Sequence, residues 1–253
     1  MPFDPKPKQR SPYPITVTAR PPGFATGVGV GAGVADVERT FISAVYRWMA
    51  LGLLVTAGVA FVVATTPELL EVVVLNRWVF YGLMIAEFGL VIALSAMLPR
   101  LSGAAAGGLF LLYSALNGAT LSVILLVYTG NSVAMAFGIT AGTFGAMSVY
   151  GTITRRDLTS WSSFLMMGLV GVVIASLVNM FLQSTAMQFV ISCAAVVVFT
   201  GLTAYDTQKL RAFARAGGAT AAGAPVSGAL MLYLDFINLF LAVLQLFGGR
   251  RKS

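Results

Sequence analysis

Seven apolar stretches separated by short polar connections dominate the chain after residue 40. They cover approximately residues 46–64, 78–98, 104–127, 133–153, 161–182, 187–210 and 229–247. Each lies near the ~20 residues that an α-helix needs to cross the hydrocarbon core of a bilayer. The pattern predicts an all-α integral membrane protein, a bundle of seven transmembrane helices.

The first 40 residues differ in composition from the rest of the chain. They hold seven of the ten prolines and no apolar run long enough for the core of a signal peptide. This composition is typical of disorder, because such a segment cannot bury enough apolar surface to offset its chain entropy. We therefore predict two parts, a disordered, basic Pro/Gly-rich tail over residues 1–40 and a seven-helix transmembrane domain over residues 41–253.

The distribution of charge predicts the topology in the membrane. Charged residues make up only 10% of the chain, and the net charge is +7. The positive charges concentrate in the terminal tails and in alternate connections, so we expect them to orient the helices and not to bind nucleic acid. The positive-inside rule then predicts a cytoplasmic N-terminus.

Seven full crossings would leave Arg250, Arg251 and Lys252 on the outer side, against the same rule. Two interpretations remain open at this point. Either the last segment is a partial or re-entrant helix, or this short tail is translocated despite its charge.

The absence of histidine and the single cysteine limit the chemistry that the chain can perform. Without histidine there is no histidine metal site, haem ligation or histidine proton relay, and one cysteine forms no intrachain disulfide. We expect no cofactor.

Three acidic residues fall within the predicted spans, namely Glu87, Asp206 and Asp235. A carboxylate in hydrocarbon is unfavourable by several kcal/mol unless it is protonated, paired or hydrated, so these residues are candidates for a functional site. Glu87 lies near the middle of the second span. Asp206 lies close to the cytoplasmic end of the sixth span, and Asp235 lies about 9 Å into the seventh from the same side.

Because the last two spans are antiparallel neighbours in sequence, Asp206 and Asp235 are predicted to meet at similar depth. Two carboxylates in contact cannot both ionise cheaply, so the pair would share one proton and titrate as a unit. Such a pair would act as a pH sensor and gate. When deprotonated, its oxygens suit a transient contact with a hard cation such as calcium.

Other polar residues near the pair have two interpretations each. Asn238 lies one turn after Asp235 and could add an oxygen ligand, whereas Arg100 could serve as a counter-charge or only set topology. Glu87 could line a pore or donate a hydrogen bond between helices. Asp206 itself could be a solvated helix-end carboxylate paired with Lys209.

Pairs of small residues four apart indicate close helix packing. The pairs are Gly103 and Gly107, Gly138 and Gly142, and Ala141 and Gly145.

Several motifs resemble the transmembrane Bax inhibitor motif family, in its bacterial branch. They are GLTAYDTQ at residues 201–208, LYLDFINLF at 232–240, AE at 86–87, LNGATL at 116–121 and RRDL at 155–158. The resemblance covers residues 40 to 250 and implies a bundle in which six helices surround the C-terminal one.

The resemblance also implies a function, a pH-sensitive passive calcium leak in which an aspartate pair on the last two helices is sensor and latch. Asp206 and Asp235 match that pair. An arginine at the end of the second span completes the latch in the family, and Arg100 lies about two residues past that position. Membrane lipid and calcium or another cation are the expected partners, and the bacterial cytoplasmic (inner) membrane is the expected location.

Two other functions compete with the leak. Some bacterial relatives regulate a membrane-anchored AAA-type protease, so the chain could be a regulator that binds such a protease and transports nothing. Two membrane aspartates also suggest an intramembrane aspartyl protease. That class carries Gly-x-Gly-Asp at its second site, whereas this chain reads Tyr233-Leu-Asp235, so we do not expect an enzyme.

Overall fold

The computed structural model describes residues 28–249 and residue 251, and no strand forms among these residues. Seven long helices, numbered in chain order, form one bundle. They are α1 Val28–Thr65, α2 Arg77–Met97, α3 Gly103–Val127, α4 Gly130–Ile153, α5 Ser162–Leu182, α6 Thr185–Arg215 and α7 Ala224–Phe247. All seven are long and apolar enough to cross a membrane. The predicted all-α, seven-helix fold is therefore confirmed.

Polar side chains fix the first residue of several helices. Ser102, Thr129 and Ser184 each accept a hydrogen bond from the backbone N–H three residues later, at the starts of α3, α4 and α6. Asn76 caps α2 in the same way. These caps satisfy N–H groups that have no partner within a helix, which matters most where little water is available. Because these caps start the helices sharply, the connections between the helices are short.

The first helix begins earlier than the sequence predicts. Residues 1–27 of the predicted tail lie outside the described residues, but residues 33–40 are helical and belong to α1. Glu38, which the sequence places in the tail, is buried and forms salt bridges to Arg211 and Arg215 of α6. The local composition predicts disorder for this segment. The contact of Glu38 with α6, across more than 170 residues of chain, anchors it.

One end of the bundle, here called the basic end, carries most of the charge on the connections. Its cationic residues are Arg100, Arg155, Arg156, Lys209, Arg211 and Arg215. Contacts tie these segments together: Arg211 donates to the Thr152 carbonyl, and Gly223 packs against the Leu98 carbonyl.

Helix α7 runs from the basic end to the opposite end of the bundle. Just past α7, the Gly249 carbonyl accepts from Thr129 N at 3.2 Å, and Arg251 N donates to the Val127 carbonyl at 2.9 Å. These partners lie at the far end of α3 and the start of α4. The last segment is therefore a full-length helix, and the partial or re-entrant interpretation is wrong.

Helix α7 is also the most buried of the seven. Its most apolar 18-residue stretch has 56% of its residues buried, against 6% for α2. It contacts α1, α3, α4 and α6. Any change in the position of α7 therefore disturbs four neighbours, whereas α2 is attached loosely at the edge of the bundle.

Only part of the predicted small-residue packing occurs in the described bundle. Gly107 lies against the Trp48 ring, and Gly103 faces the backbone of Ala222. In contrast, an added Cβ at Gly138, Gly142 or Gly145 would meet no atom within 4 Å. The spacing of small residues shows that a close approach is sterically allowed on one face, but it does not show that a neighbouring helix occupies that face.

Candidate functional site

Two carboxylates meet between α6 and α7 in the interior of the bundle. Asp206 is 8% exposed and Asp235 is 5% exposed. Their side chains lie within hydrogen-bonding reach of each other. The Oδ2 atom of Asp235 has no hydrogen-bond partner among the described residues. The structure thus brings together the two residues that the sequence singles out.

The chemistry of this aspartate pair follows from its burial. Two ionised carboxylates have no proton to share, so a hydrogen bond between them requires that one of them be protonated. With one shared proton, the buried site carries a single negative charge. Because the unpartnered oxygen of Asp235 is buried, water or a cation reaches it only when the surrounding helices move apart. The arrangement can therefore bind and release one proton.

The pair lies deeper in the bundle than the predicted helix limits indicate. Helix α7 begins at Ala224, so Asp235 lies eleven residues or about 16 Å from its start. Helix α6 continues to Arg215, so Asp206 lies nine residues or about 14 Å from its end. Helix α7 thus begins about five residues before the predicted span, because the small and polar residues of its first turns resemble a linker. The depth of about 9 Å predicted for Asp235 in the membrane stays a prediction.

Close packing of α6 against its neighbours positions Asp206. Gly151 of α4 lets the two backbones touch, since an added Cβ there would lie 2.3 Å from the Ala204 carbonyl oxygen. On α5, Leu165 fills the space beside Gly201. The hydroxyl oxygen of Thr207, the residue after Asp206, lies 3.5 Å from the Tyr46 hydroxyl oxygen of α1. Asp206 is therefore held on a segment of α6 that contacts three other helices.

One cation acts directly on the pair. Lys209 lies one turn after Asp206, attracts its carboxylate, and stands 5.7 Å above the Tyr205 ring. Further along α6, Arg211 and Arg215 are bound to Glu38, with Arg215 Nε 2.6 Å from the Glu38 carboxylate. The sequence interpretation in which Lys209 neutralises Asp206 is thus compatible with the structure, but Asp206 is buried and not a solvated helix end.

Arg100 and Asn238 do not join the pair in this structure. Arg100 is the exposed last residue of the short 3-10 turn Leu98–Arg100, and it forms no salt bridge with any described residue. The Asn238 amide donates to the Leu234 carbonyl at 2.8 Å within α7. Residues 28–249 contain no cluster of three or more acidic, histidine or cysteine side chains that would hold a metal ion firmly.

Glu87 belongs to a second polar site on the other side of α7. It accepts from the Thr120 hydroxyl at 2.8 Å and from the Asn117 amide at 3.3 Å, both on α3. Asn117 Oδ1 accepts from the Tyr233 hydroxyl of α7 at 3.0 Å, and this hydroxyl lies 2.7 Å from Thr56 Oγ1 of α1. We call this chain of hydrogen bonds the Glu87–Tyr233 network.

The network shows what the sequence did not reveal. Tyr233 is fully buried and links three helices, whereas in the sequence it stands out only as a neighbour of Asp235. Residues two apart on a helix point in different directions, so α7 presents Asp235 to α6 and Tyr233 to α1 and α3. A tyrosine two residues from a buried aspartate is a detectable signal, but its partners are more than 110 residues away in sequence.

Replacing Tyr233 by phenylalanine is expected to lower stability, because the half-buried Asn117 side-chain oxygen loses its hydrogen-bond donor. The net loss for one such hydrogen bond is about 0.5–1.5 kcal/mol. Thermal unfolding of the detergent-purified protein would measure it. Tyr113→Phe is the matched control, since Tyr113 packs against the Tyr233 ring at 6.0 Å and its hydroxyl has no partner among residues 28–249. Equal losses in both variants would contradict the network.

Comparison with known proteins identifies relatives over most of the chain. A family model described as "Inhibitor of apoptosis-promoting Bax1" matches residues 38–252. "Inner membrane protein YbhL" of Escherichia coli (strain K12) is 48% identical over 217 residues, covering 84% of this chain and 93% of that protein. An uncharacterized protein of Borreliella burgdorferi is 45% identical over 220 residues, covering 86% and 95%. One from Caulobacter vibrioides is 38% identical over 242 residues, covering 91% and 95%.

Proposed function

Because the chain belongs to the family described as inhibitor of apoptosis-promoting Bax1, we propose that it is a passive, pH-sensitive cation leak pathway with calcium as its cargo. The family predicted from the motifs is confirmed. With seven apolar helices and a relative named as an inner membrane protein, the chain is a multi-pass protein of the bacterial inner membrane. The buried pair of Asp206 and Asp235 is the observation that carries the proposal.

Loss of the shared proton supplies the force that opens the pathway. Two full negative charges about 4 Å apart repel by roughly 4 kcal/mol at an effective dielectric constant near 20. Lys209 offsets part of this repulsion, and no other cation acts on the pair from the described residues packed around it. The repulsion acts between α6 and α7, so it pushes the most buried helix away from its neighbour.

The chemistry of the pair favours transit of a cation over its storage. Calcium prefers six to eight oxygen ligands, and the pair offers only two carboxylates. An ion that keeps most of its water and touches the aspartates briefly can leave again, as conduction requires. The carboxylates thus act first as the proton-binding gate and then as a passing contact for the cation.

The Glu87–Tyr233 network extends the effect of the gate through α7. Tyr233 ties α7 to Asn117 and Thr56, so an outward shift of α7 strains hydrogen bonds on α1 and α3 as well. Glu87 accepts from Asn117 and Thr120 in this network and is a candidate pore-lining carboxylate. We place the basic end in the cytoplasm by the positive-inside rule, so the pair senses cytoplasmic pH.

Calcium flux into proteoliposomes that contain the purified protein tests the proposal. Flux is expected to rise as pH increases through the titration of the pair, and liposomes without protein supply the background. Flux at background level at every pH would contradict the leak. Flux that is present but independent of pH would contradict the gate.

Binding of a membrane-anchored AAA-type protease remains the alternative function. It predicts background flux together with recovery of such a protease by crosslinking in native membranes. Deletion of residues 1–40 would then abolish the recovery if the tail is the binding segment. The two experiments together separate a leak pathway from a regulator that transports nothing.

A further inference from the structure

A cavity of ≈ 530 Å³ opens at the basic end, outside the aspartate pair. The last turn of α4, the connection at residues 154–157 and the end of α6 form its walls. Its five cationic lining residues are Arg155, Arg156, Lys209, Arg211 and Arg215. Asp157 is the one carboxylate in its wall. We call this cavity the basic pocket.

Two of these cations have no carboxylate partner in the described residues. Glu38 pairs with both Arg211 and Arg215, and Lys209 attracts Asp206, whereas Arg155 and Arg156 form no salt bridge within residues 28–249. Hydrogen bonds from the Thr159 hydroxyl and backbone N–H hold the pKa of Asp157 below its usual value, so that carboxylate is ionised. Even with Glu38, Asp157 and Asp206 counted, the five cations outnumber the anions around the pocket. Such a surplus in a concave site attracts an anion.

The wall of the basic pocket is fixed before any anion arrives. Gln208 of α6 holds the connection after α4 at two points: its amide donates to the Arg156 carbonyl at 2.9 Å, and its Oε1 accepts from Leu158 N at 2.9 Å. Arg211 also donates to the Thr152 carbonyl. These contacts hold the backbone that carries the exposed Arg155 and Arg156 side chains. A fixed backbone lowers the conformational freedom that the site loses when it binds an anion.

A second, apolar cavity adjoins the basic pocket and indicates the kind of ligand. It measures ≈ 170 Å³, and it shares Arg156 and Tyr205 with the basic pocket. Met147, Leu165 and Gly201 line its deeper part. Trp161 also lines this cavity and is 60% exposed. Tryptophan residues of membrane proteins are enriched at the level of the lipid headgroups. Cationic and apolar cavities side by side at this level match an amphiphile with an anionic head.

We propose that the basic pocket binds a phosphate group, with the headgroup of an anionic phospholipid as its source and the adjoining apolar cavity taking the start of an acyl chain. Arg155 and Arg156 supply planar donors suited to phosphate oxygens, and Lys209 supplies a point charge. A zwitterionic headgroup fits less well, because its own cation would face the arginines. The proposal concerns binding only and does not depend on ion conduction.

Native mass spectrometry of the full chain in neutral detergent tests the proposal with dioctanoyl phosphatidylglycerol and dioctanoyl phosphatidylcholine as probes. The wild type is expected to retain phosphatidylglycerol and to bind phosphatidylcholine at least about tenfold more weakly. The double variant Arg155→Gln/Arg156→Gln is expected to bind phosphatidylglycerol about 25-fold more weakly, roughly fivefold for each arginine removed.

The double variant Arg39→Gln/Arg47→Gln is the matched control, since it removes the same charge from exposed positions of α1 outside the pocket. It is expected to bind as the wild type does. Equal binding by the pocket variant and the wild type, equal loss in both double variants, or equal affinity for the two lipids would overturn the proposal. Inorganic phosphate identifies the source: a lipid site keeps phosphatidylglycerol at millimolar phosphate, and a site for soluble phosphate releases it.

Discussion

Calcium flux that no longer responds to pH is the expected result of replacing Asp206 or Asp235 by asparagine. Either change removes one of the two charges, so deprotonation can no longer create like charges between α6 and α7. The lost repulsion of roughly 4 kcal/mol corresponds to as much as three orders of magnitude in the ratio of open to closed protein. Asparagine keeps the shape and hydrogen-bonding capacity of the side chain, so the helix packing is expected to survive.

Proteoliposome flux measured across a series of pH values, for each variant and for the wild type, would show the effect. Asp36→Asn is the matched control, because Asp36 is an exposed carboxylate on α1 at the same end of the bundle. It is expected to keep the full pH response. A wild-type response in Asp206→Asn or Asp235→Asn, with the protein folded and inserted, would exclude the pair as the sensor.

The sequence predicts the contact between Asp206 and Asp235 because the two residues lie in consecutive helices. The apolar runs place Asp206 and Asp235 in consecutive antiparallel helices, and a short connection fixes the pairing of those helices. No knowledge of distant contacts is needed to bring the two residues to similar depth. The start of α7 is less visible in the sequence, since the first turns of this helix resemble a linker in composition.

The features that the sequence missed depend on partners far along the chain. The sequence places Glu38 in a tail, yet Glu38 joins the start of α1 to α6 through Arg211 and Arg215. Tyr233 joins Thr56 and Asn117, which lie on two other helices. Periodicity predicts which segments are helices, but it does not determine which buried polar groups meet, because those contacts depend on the rotation of each helix in the bundle.

The two faces of α7 give the bundle a physical basis for a two-state gate. In the proposed gate, Asp235 contacts α6 through a proton that a rise in pH removes, whereas Tyr233 contacts α1 and α3 through hydrogen bonds that do not titrate near neutral pH. Deprotonation thus acts on one side of the helix and leaves the other side bound. We expect α7 to tilt or rotate about its Tyr233 contacts, since these would be the last to break.

Gly151→Ala is expected to destabilise the protein and disturb the gate, although it adds only one methyl group. An added Cβ at Gly151 would lie 2.3 Å from the Ala204 carbonyl oxygen, so α4 and α6 must separate. Overpacking of this kind typically destabilises by 1–3 kcal/mol, and roughly 2 kcal/mol would lower the melting temperature by about 4–8 °C. Because Ala204 lies two residues from Asp206, the shift also moves one half of the aspartate pair.

Gly142→Ala on the same helix is the matched control, because its added Cβ would meet no atom within 4 Å. Alanine favours helix over glycine by up to about 1 kcal/mol, so this variant is expected to melt at or slightly above the wild-type temperature. Thermal unfolding in detergent would compare the two variants, and flux against pH would show whether the gate shifts with α6. Equal melting temperatures for both would mean that α4 and α6 are not in backbone contact beside Asp206, and the close packing proposed to position the pair would then be wrong.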